Sequence, residues 1–395
     1  MSDSLDELDL PIEALRRRQN RKWTRYGPDV IPAWIADMDY KAEPSVQAAL
    51  ARLLAEEDYG YPDRAGDVAE RAVAAAFAQH QRELYGWDPD PELVQPVSDL
   101  VQAMLATVVS YAEPRESVLM QVPAYPPFRA AVENAGRTLV ANAMHDDGRR
   151  WTLDLAGLKA LAPQARMLLV CNPHNPTGRV FARDELTELG RIAVDHDLVL
   201  VSDEVHSELV YPGHRHIPTA MISPEVAART VTITSATKSF NIGGLRCGVI
   251  HFGSAALFDR FRRCFPDRLL GQINAFGADA TIAAWGTGHS WLRRVMAKLG
   301  SNRARIGDFC ANQLPAARYH EPEATYFAWL DLSAFNLLPS AHEFLLDVAH
   351  VATSAGSEFG PEYAEFVRLN FATSPTILEE ILSRVGLALG ASHRS

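Results

Sequence analysis

Val231-Thr-Ile-Thr-Ser-Ala-Thr-Lys238-Ser-Phe-Asn-Ile-Gly-Gly-Leu-Arg246-Cys-Gly248 is the stretch that decides the fold. A β-branched run gives way to small hydroxyl residues, delivers one lysine, and reaches an arginine through a glycine pair. The run reads as a strand and the small residues as a loop at its end. Only five residues are lysines, Lys22, Lys41, Lys159, Lys238 and Lys298, among 38 basic residues, so Lys238 is not placed here merely for charge. An amine at a strand end among small residues is open to desolvation, which lowers its pKa and makes it a Schiff-base nucleophile. A loop lysine taken alone is more often simply solvated, so the reading depends on what the rest of the chain sets beside it.

Outward from this stretch, strand and helix alternate. Strands are expected over 93–97, 118–122, 137–141, 167–171, 198–202, 229–234 and 247–252, several of them continuous apolar runs. Helices are expected over 44–57, 64–82, 126–134, 184–195, 257–265 and 274–285, and Ser98 or Asp99 is placed to cap another that runs through 109. Buried strands between helices predict an α/β fold with a parallel-type sheet covered on both faces, and ligands in such sheets lie beyond the strand ends. One long helix over 290–314, with Leu292, Val295, Met296 and Leu299 on a stripe and Pro315 after it, leads to strands over 326–330 and 366–371 and helices over 341–351 and 377–389. The expected organisation is an N-terminal arm (1–43), a large domain (44–288) and a smaller C-terminal α/β domain (289–395) with which the arm packs.

At 395 residues, 47% hydrophobic and 22% charged, the chain can bury a large core and is neither disordered nor fibrous. Its net charge of -11 and the lack of basic-aromatic interleaving argue against nucleic-acid binding. No run of 18 apolar residues argues for a membrane span, and the acidic start Met1-Ser-Asp-Ser-Leu-Asp-Glu-Leu-Asp does not read as a secretory signal; the cytoplasm is the expected compartment. Cys171, Cys247, Cys264 and Cys310 are too scattered for a disulfide framework or a zinc site. In the arm, Arg16-Arg-Arg-Gln-Asn-Arg-Lys22 reads as a solvated helix face. Asp37 and Asp39 in Ile31-Pro-Ala-Trp-Ile-Ala-Asp37-Met-Asp39-Tyr40 must instead face solvent or meet a partner.

Three strand ends carry chemistry. Asn172-Pro-His-Asn175-Pro-Thr-Gly178 follows one strand, Ser202-Asp203-Glu204-Val-His206 a second, and Ser235-Ala-Thr-Lys238 a third. An amide, a carboxylate and an amine thereby converge on one sheet edge. Each has a bland reading as turn, cap or core histidine, but their occurrence together, in order, does not.

With Ala36-Asp-Met-Asp39, Tyr59-Gly-Tyr-Pro62, Pro123-Ala-Tyr-Pro-Pro-Phe128, Cys171-Asn-Pro-His-Asn-Pro-Thr-Gly178, Lys238-Ser-Phe-Asn241, Thr325-Tyr-Phe-Ala-Trp-Leu-Asp331 and Arg368-Leu-Asn370, the chain resembles fold type I pyridoxal-phosphate (PLP) enzymes of the class I/II aminotransferase superfamily. It is most similar there to cystathionine β-lyase-like C–S lyases. The resemblance implies a mostly parallel seven-stranded sheet, PLP as cofactor, no metal, and a homodimer with shared active sites. Lys238 would hold PLP as a Schiff base and act with Tyr125 as a catalytic residue, Tyr125 stacking on the ring. Asp203 would pair with the ring nitrogen, and Asn175 and His206 would lie near the ring 3′ oxygen. The phosphate would sit on the Leu100 and Val101 amides, Ser235 and Arg246, with Tyr59 or Tyr61 reaching across from a neighbouring subunit. Arg368 would clamp the substrate α-carboxylate, and Asn175, Ala36, Asp37 and Tyr326 would border the substrate.

Three features depart from the subgroup. Asp99 stands at the phosphate turn, where it either caps the helix or points away; Arg246 matches many aminotransferases but is missing from some C–S lyases; and the 266–274 segment, which would border the substrate, is unusual. The expected function is a PLP-dependent C–S β-lyase that cleaves cystathionine or a specialised cysteine S-conjugate, such as a lincosamide-type biosynthetic intermediate, to thiol, pyruvate and ammonia. The alternatives are an aminotransferase, a decarboxylating oxidative deaminase of an S-cysteinyl conjugate and, from another class, a regulatory protein that keeps the fold without turnover.

Overall fold

The computed structural model describes residues 5–64, 66–266 and 269–392. Its large sheet has seven strands: β1 (Val94–Val97), β2 (Ser117–Val122), β3 (Thr138–Ala143), β4 (Ala165–Cys171), β5 (Val199–Asp203), β6 (Thr230–Thr234) and β7 (Gly248–Phe252), in spatial order β1-β7-β6-β5-β4-β2-β3. Five of these strands pair in parallel, from β6 across to β3, while β7 is antiparallel to both β6 and β1. The sheet is therefore mixed and mostly parallel. Strands β6 and β7 are buried at every residue, as expected of strands covered on both faces.

A 25-residue helix, His289–Gln313, buries Leu292, Val295 and Leu299 and leads to an antiparallel four-stranded sheet in the order Arg318–Tyr319, Phe327–Asp331, Phe366–Asn370, Ser354–Ala355. The arm lies against this unit. Ile31–Pro32 pairs in parallel with Val351–Ala352, and Arg384 Nη1 donates to Asp29 O at 2.7 Å. Apolar residues of the arm, Leu15, Ile31, Met38 and Tyr40, share one hydrophobic core with Val295, Phe327, Leu345 and Leu378. Among the described residues no helix is long and apolar enough to cross a membrane.

Three local expectations are corrected. Lys22 is no solvated residue: only 1% exposed, its Nζ donates to Asp39 Oδ2 at 2.7 Å and to Asp37 O at 3.1 Å. The helix expected from residue 64 begins at Ala69, because Asp63–Arg64 pairs with Asp67–Val68 and Arg64 is drawn to Asp279. The helix expected over 341–351 ends at Asp347, since Val351 is taken as the strand partner of Ile31.

Candidate active site

The carboxyl ends of β1, β2, β4, β5 and β6 and the start of antiparallel β7 share one sheet edge, and a cavity of about 190 Å³ opens there. Lys238, Tyr125, Asp203, His206, Asn175, Leu100, Val101, Arg246 and Ala36 all line it. Ser235 is buried at the end of β6, its Oγ 2.6 Å from Thr237 Oγ1. Asp37, Tyr326 and Arg368 stand close enough to act electrostatically on the groups of this cavity. Tyr59 and Tyr61 are not brought to it: they are 61% and 96% exposed, Tyr59 lying against Phe276 with ring centroids 6.2 Å apart.

Each side chain owes its position to its element. Asp203 ends β5 and accepts the Val205 amide at 3.0 Å, which turns the chain and keeps the carboxyl in the cavity. Tyr125 immediately precedes the Pro126–Asn134 helix, whose leading prolines suit a first turn. Gly248 lets β7 meet the start of the Leu100–Tyr111 helix, since a Cβ there would lie 2.5 Å from the Leu100 side chain and 3.2 Å from Ser235 Cβ. Asp99 caps that helix, accepting the Val101 and Gln102 amides at 2.8 and 3.0 Å through Oδ1, while its Oδ2 pairs with Arg246. Asp99 is thus a cap, one of the two roles read for it, but the expected use of the Val101 amide for phosphate is altered: that amide already donates to Asp99.

Arg368 lies almost wholly buried on the Phe366–Asn370 strand. Its Nη1 donates to Asn175 Oδ1 at 2.9 Å, and its Nη2 to Trp34 O at 3.0 Å and Ser354 Oγ at 3.1 Å. The guanidinium carbon lies 4.1 Å from the Phe327 ring centre. Tyr326 donates to Ala36 O at 3.1 Å. Sequence reasoning missed the two asparagines that set the arm's ADMD segment. Asn241 holds the Met38 backbone at 2.8 Å on both sides, and Asn370 Nδ2 donates to Ile35 O at 2.6 Å and Asp37 O at 2.8 Å. Both were in quoted motifs, and the signal was their paired amide donors and acceptors beside polar backbone.

Burial governs the ionisation of the site. Desolvation lowers the Lys238 amine, with Asp37 and Asp203 opposing and Arg368 and Arg246 assisting. Desolvation raises Asp203 to about 7, against the pull of the Val205 amide and Lys238. It lowers His206 to about 3, with Lys238 and Arg368 adding to the effect, so this imidazole is neutral at physiological pH. Burial also lowers Arg368, to about 10, a value at which it is still a cation at neutral pH.

An amine lowered by desolvation, a buried acid and a buried guanidinium gather around one cavity at the switch edge of an α/β sheet, a set of groups suited to Schiff-base chemistry on a small carboxylate. The family model for aminotransferase class I and II matches residues 35–385, and the chain belongs to that family. It is 31% identical to cystathionine β-lyase PatB of Bacillus subtilis over 94% of this chain and 97% of that protein. It is equally 31% identical to cystathionine β-lyase of Corynebacterium glutamicum, covering 96% and 99%. A solved structure of the PLP-bound C–S lyase from Staphylococcus hominis superposes with a TM-score of 0.89 at 27% identity, covering 98% of each chain. The chain has the fold of type I PLP enzymes, and its cofactor is pyridoxal 5′-phosphate.

The residues present fit that cofactor. His206 Nδ1 is a buried polar atom of the cavity wall with no partner among the described residues. The narrow space kept by Gly248, the cationic Arg246 at a helix start and the low-pKa amine match a phosphorylated aldehyde in size, charge and reactivity.

Proposed function

We propose that this enzyme is a C–S β-lyase that cleaves cysteine S-conjugates to a thiol, pyruvate and ammonia. The reading is carried by the gathering of Lys238, Asp203 and the Arg368–Asn175 pair at one sheet edge, in a chain whose relatives include cystathionine β-lyases and a C–S lyase. Bound PLP supplies an electron sink for a carbanion at the substrate Cα. Lys238 Nζ anchors the cofactor and then, as a neutral amine, removes the Cα proton; its lowered pKa suits that task. Asp203 would balance a positive ring nitrogen, a cation that would return this buried acid to its ionised form. Arg368, held by Asn175, Ser354 and the Trp34 carbonyl, receives the substrate carboxylate as a preset fork. Tyr125 would cover the ring face, His206 and Asn175 would serve its oxygen, and Ser235, the Leu100 amide and Arg246 would take the phosphate. Loss of the Cα proton is followed by breakage of Cβ–S, with the bonding pair leaving on the thiolate; the three-carbon enamine then hydrolyses to pyruvate and ammonia. A second subunit completes the site with Tyr59 or Tyr61, exposed here as a residue reaching a partner must be.

The finer substrate reading, a specialised conjugate of lincosamide type, draws on the 266–274 segment, of which residues 267 and 268 lie outside the described residues. The test is to incubate the PLP-loaded enzyme with L-cystathionine and a panel of cysteine S-conjugates, following thiol, pyruvate and oxygen. Equal release of thiol and pyruvate without an added keto acid is expected. Strict dependence on a keto acid would make the enzyme an aminotransferase, and oxygen uptake without pyruvate would make it an oxidative deaminase.

A further inference from the structure

The cofactor's phosphate is a dianion, and the place read for it already contains an anion. Asp99 spends both carboxylate oxygens there: Oδ1 on the Val101 and Gln102 amides at 2.8 and 3.0 Å, Oδ2 on the Arg246 guanidinium. The Ala103 amide is engaged too, by the Asp99 carbonyl at 3.0 Å. Of the features that attract phosphate, the cation and the amides that follow Leu100 at the start of the 12-residue helix are therefore answered from within the chain.

The backbone cannot resolve this by moving Arg246 away. Arg246 sits at φ 58° in the left-handed region, and the preceding carbonyl, Leu245 O, accepts Asn274 Nδ2 at 2.9 Å. Gly277 packs against the same segment so tightly that a Cβ there would lie 2.4 Å from Leu245 O. Arg246 is thus presented by a pinned turn, and Asp99 Oδ2 on its Nη1 sets a carboxylate charge beside the cation that a phosphate would use. The pair is open to solvent, with side chains 61% and 30% exposed, so exchanging one anion for the other is inexpensive.

We infer that Asp99 is an internal competitor for the cofactor phosphate: it occupies Arg246 and the helix start, and it sets a weaker affinity and a faster exchange of PLP than an uncharged cap would. This rests on PLP docking at this edge. Asn is the fitting replacement, since it keeps the side-chain oxygen that caps the helix and removes the charge.

The test compares wild type with Asp99→Asn by equilibrium dialysis of the cofactor-stripped proteins against PLP and against pyridoxal, which lacks the phosphate. PLP should bind Asp99→Asn about tenfold more tightly and leave it more slowly, as expected from removing one like charge near a dianion. Pyridoxal should bind both proteins alike. In an Arg246→Gln background the gain from Asp99→Asn should shrink, because the contested cation is gone. Equal or weaker PLP binding by Asp99→Asn would overturn the inference, and so would a gain that pyridoxal shows equally. Failure of both proteins to take up PLP would overturn the cofactor assignment and this inference together.

Discussion

Asp203 is held between burial, which favours its neutral form, and the Val205 amide and Lys238, which favour its charge. Without cofactor its folded value of about 7 exceeds the ordinary 3.8, so folding binds a proton between those values. Its contribution to stability is full below about pH 4 and is lost as pH rises through 7, a difference on the order of 4 kcal/mol. Buried His174 and His206, lowered to about 3, and His251, lowered to about 4, run the opposite way: their contributions are present above pH 6.5 and are lost toward acid. Asp203 is therefore read by difference. Denaturant midpoints of cofactor-stripped wild type and Asp203→Asn should show the variant gaining relative stability from pH 4 to 7, and a pH-independent difference would refute the buried-acid reading. Arg368 makes a second case at this scale. Arg368→Lys retains the charge but loses the planar fork on Asn175, Ser354 and Trp34. KM for a cysteine S-conjugate should rise roughly a hundredfold, equivalent to about 2.7 kcal/mol, with the absorbance of lysine-bound PLP unchanged. Unchanged KM would remove Arg368 from substrate binding.

The arm shows what an element can owe to one buried pair. Lys22 and Asp39 are each 1% exposed, and Asp39 also accepts Trp23 Nε1 at 2.8 Å. Together with the Asn241 and Asn370 amides they fix the turn that carries Ala36 and Asp37 to the cavity. Lys22→Met strands a buried carboxylate and should cost about 3–5 kcal/mol in thermal or chemical unfolding, whereas Lys22→Met/Asp39→Asn should recover most of it. A double variant as unstable as the single one would show that the pair's charge balance is not what matters. Elements such as these also mark the limit of legibility in the sequence. The Pro126–Asn134 helix and strands β4 to β7 could be read to within a residue or two, because periodicity, caps and apolar runs are local. Lys22, set in a run of arginines, looked solvated because its partner lies 17 residues away. The reversed direction of β7 and the pairing of Ile31 with Val351 depend on long-range register that no local pattern encodes. In the site, Lys238, Asp203 and Asn175 were legible as chemistry at strand ends. Asp99's hold on Arg246, 147 residues distant, became visible only in three dimensions.

At the scale of the whole molecule, Tyr59 and Tyr61 stand outside the cavity of their own chain. Both tyrosines are exposed, and so is Leu54 on the Pro44–Ala55 helix that precedes them. If the partner's tyrosines complete each site, catalytic machinery is divided between chains: Lys238 from one, Tyr59 or Tyr61 from the other. Two inactive proteins should then rescue each other. Lys238→Ala lacks the anchoring amine, and Tyr59→Phe/Tyr61→Phe lacks the donated hydroxyls. Unfolded and refolded together in equal amounts, about half of the dimers are mixed, and in each of these one of the two sites combines a wild-type Lys238 with wild-type tyrosines. Lyase activity should therefore return to about a quarter of the wild-type level, well above that of either parent, and the mixed species should bind PLP at one site with wild-type affinity. Activity equal to the mean of the two parents, in a mixture shown by mass to contain mixed dimers, would confine each active site to its own chain.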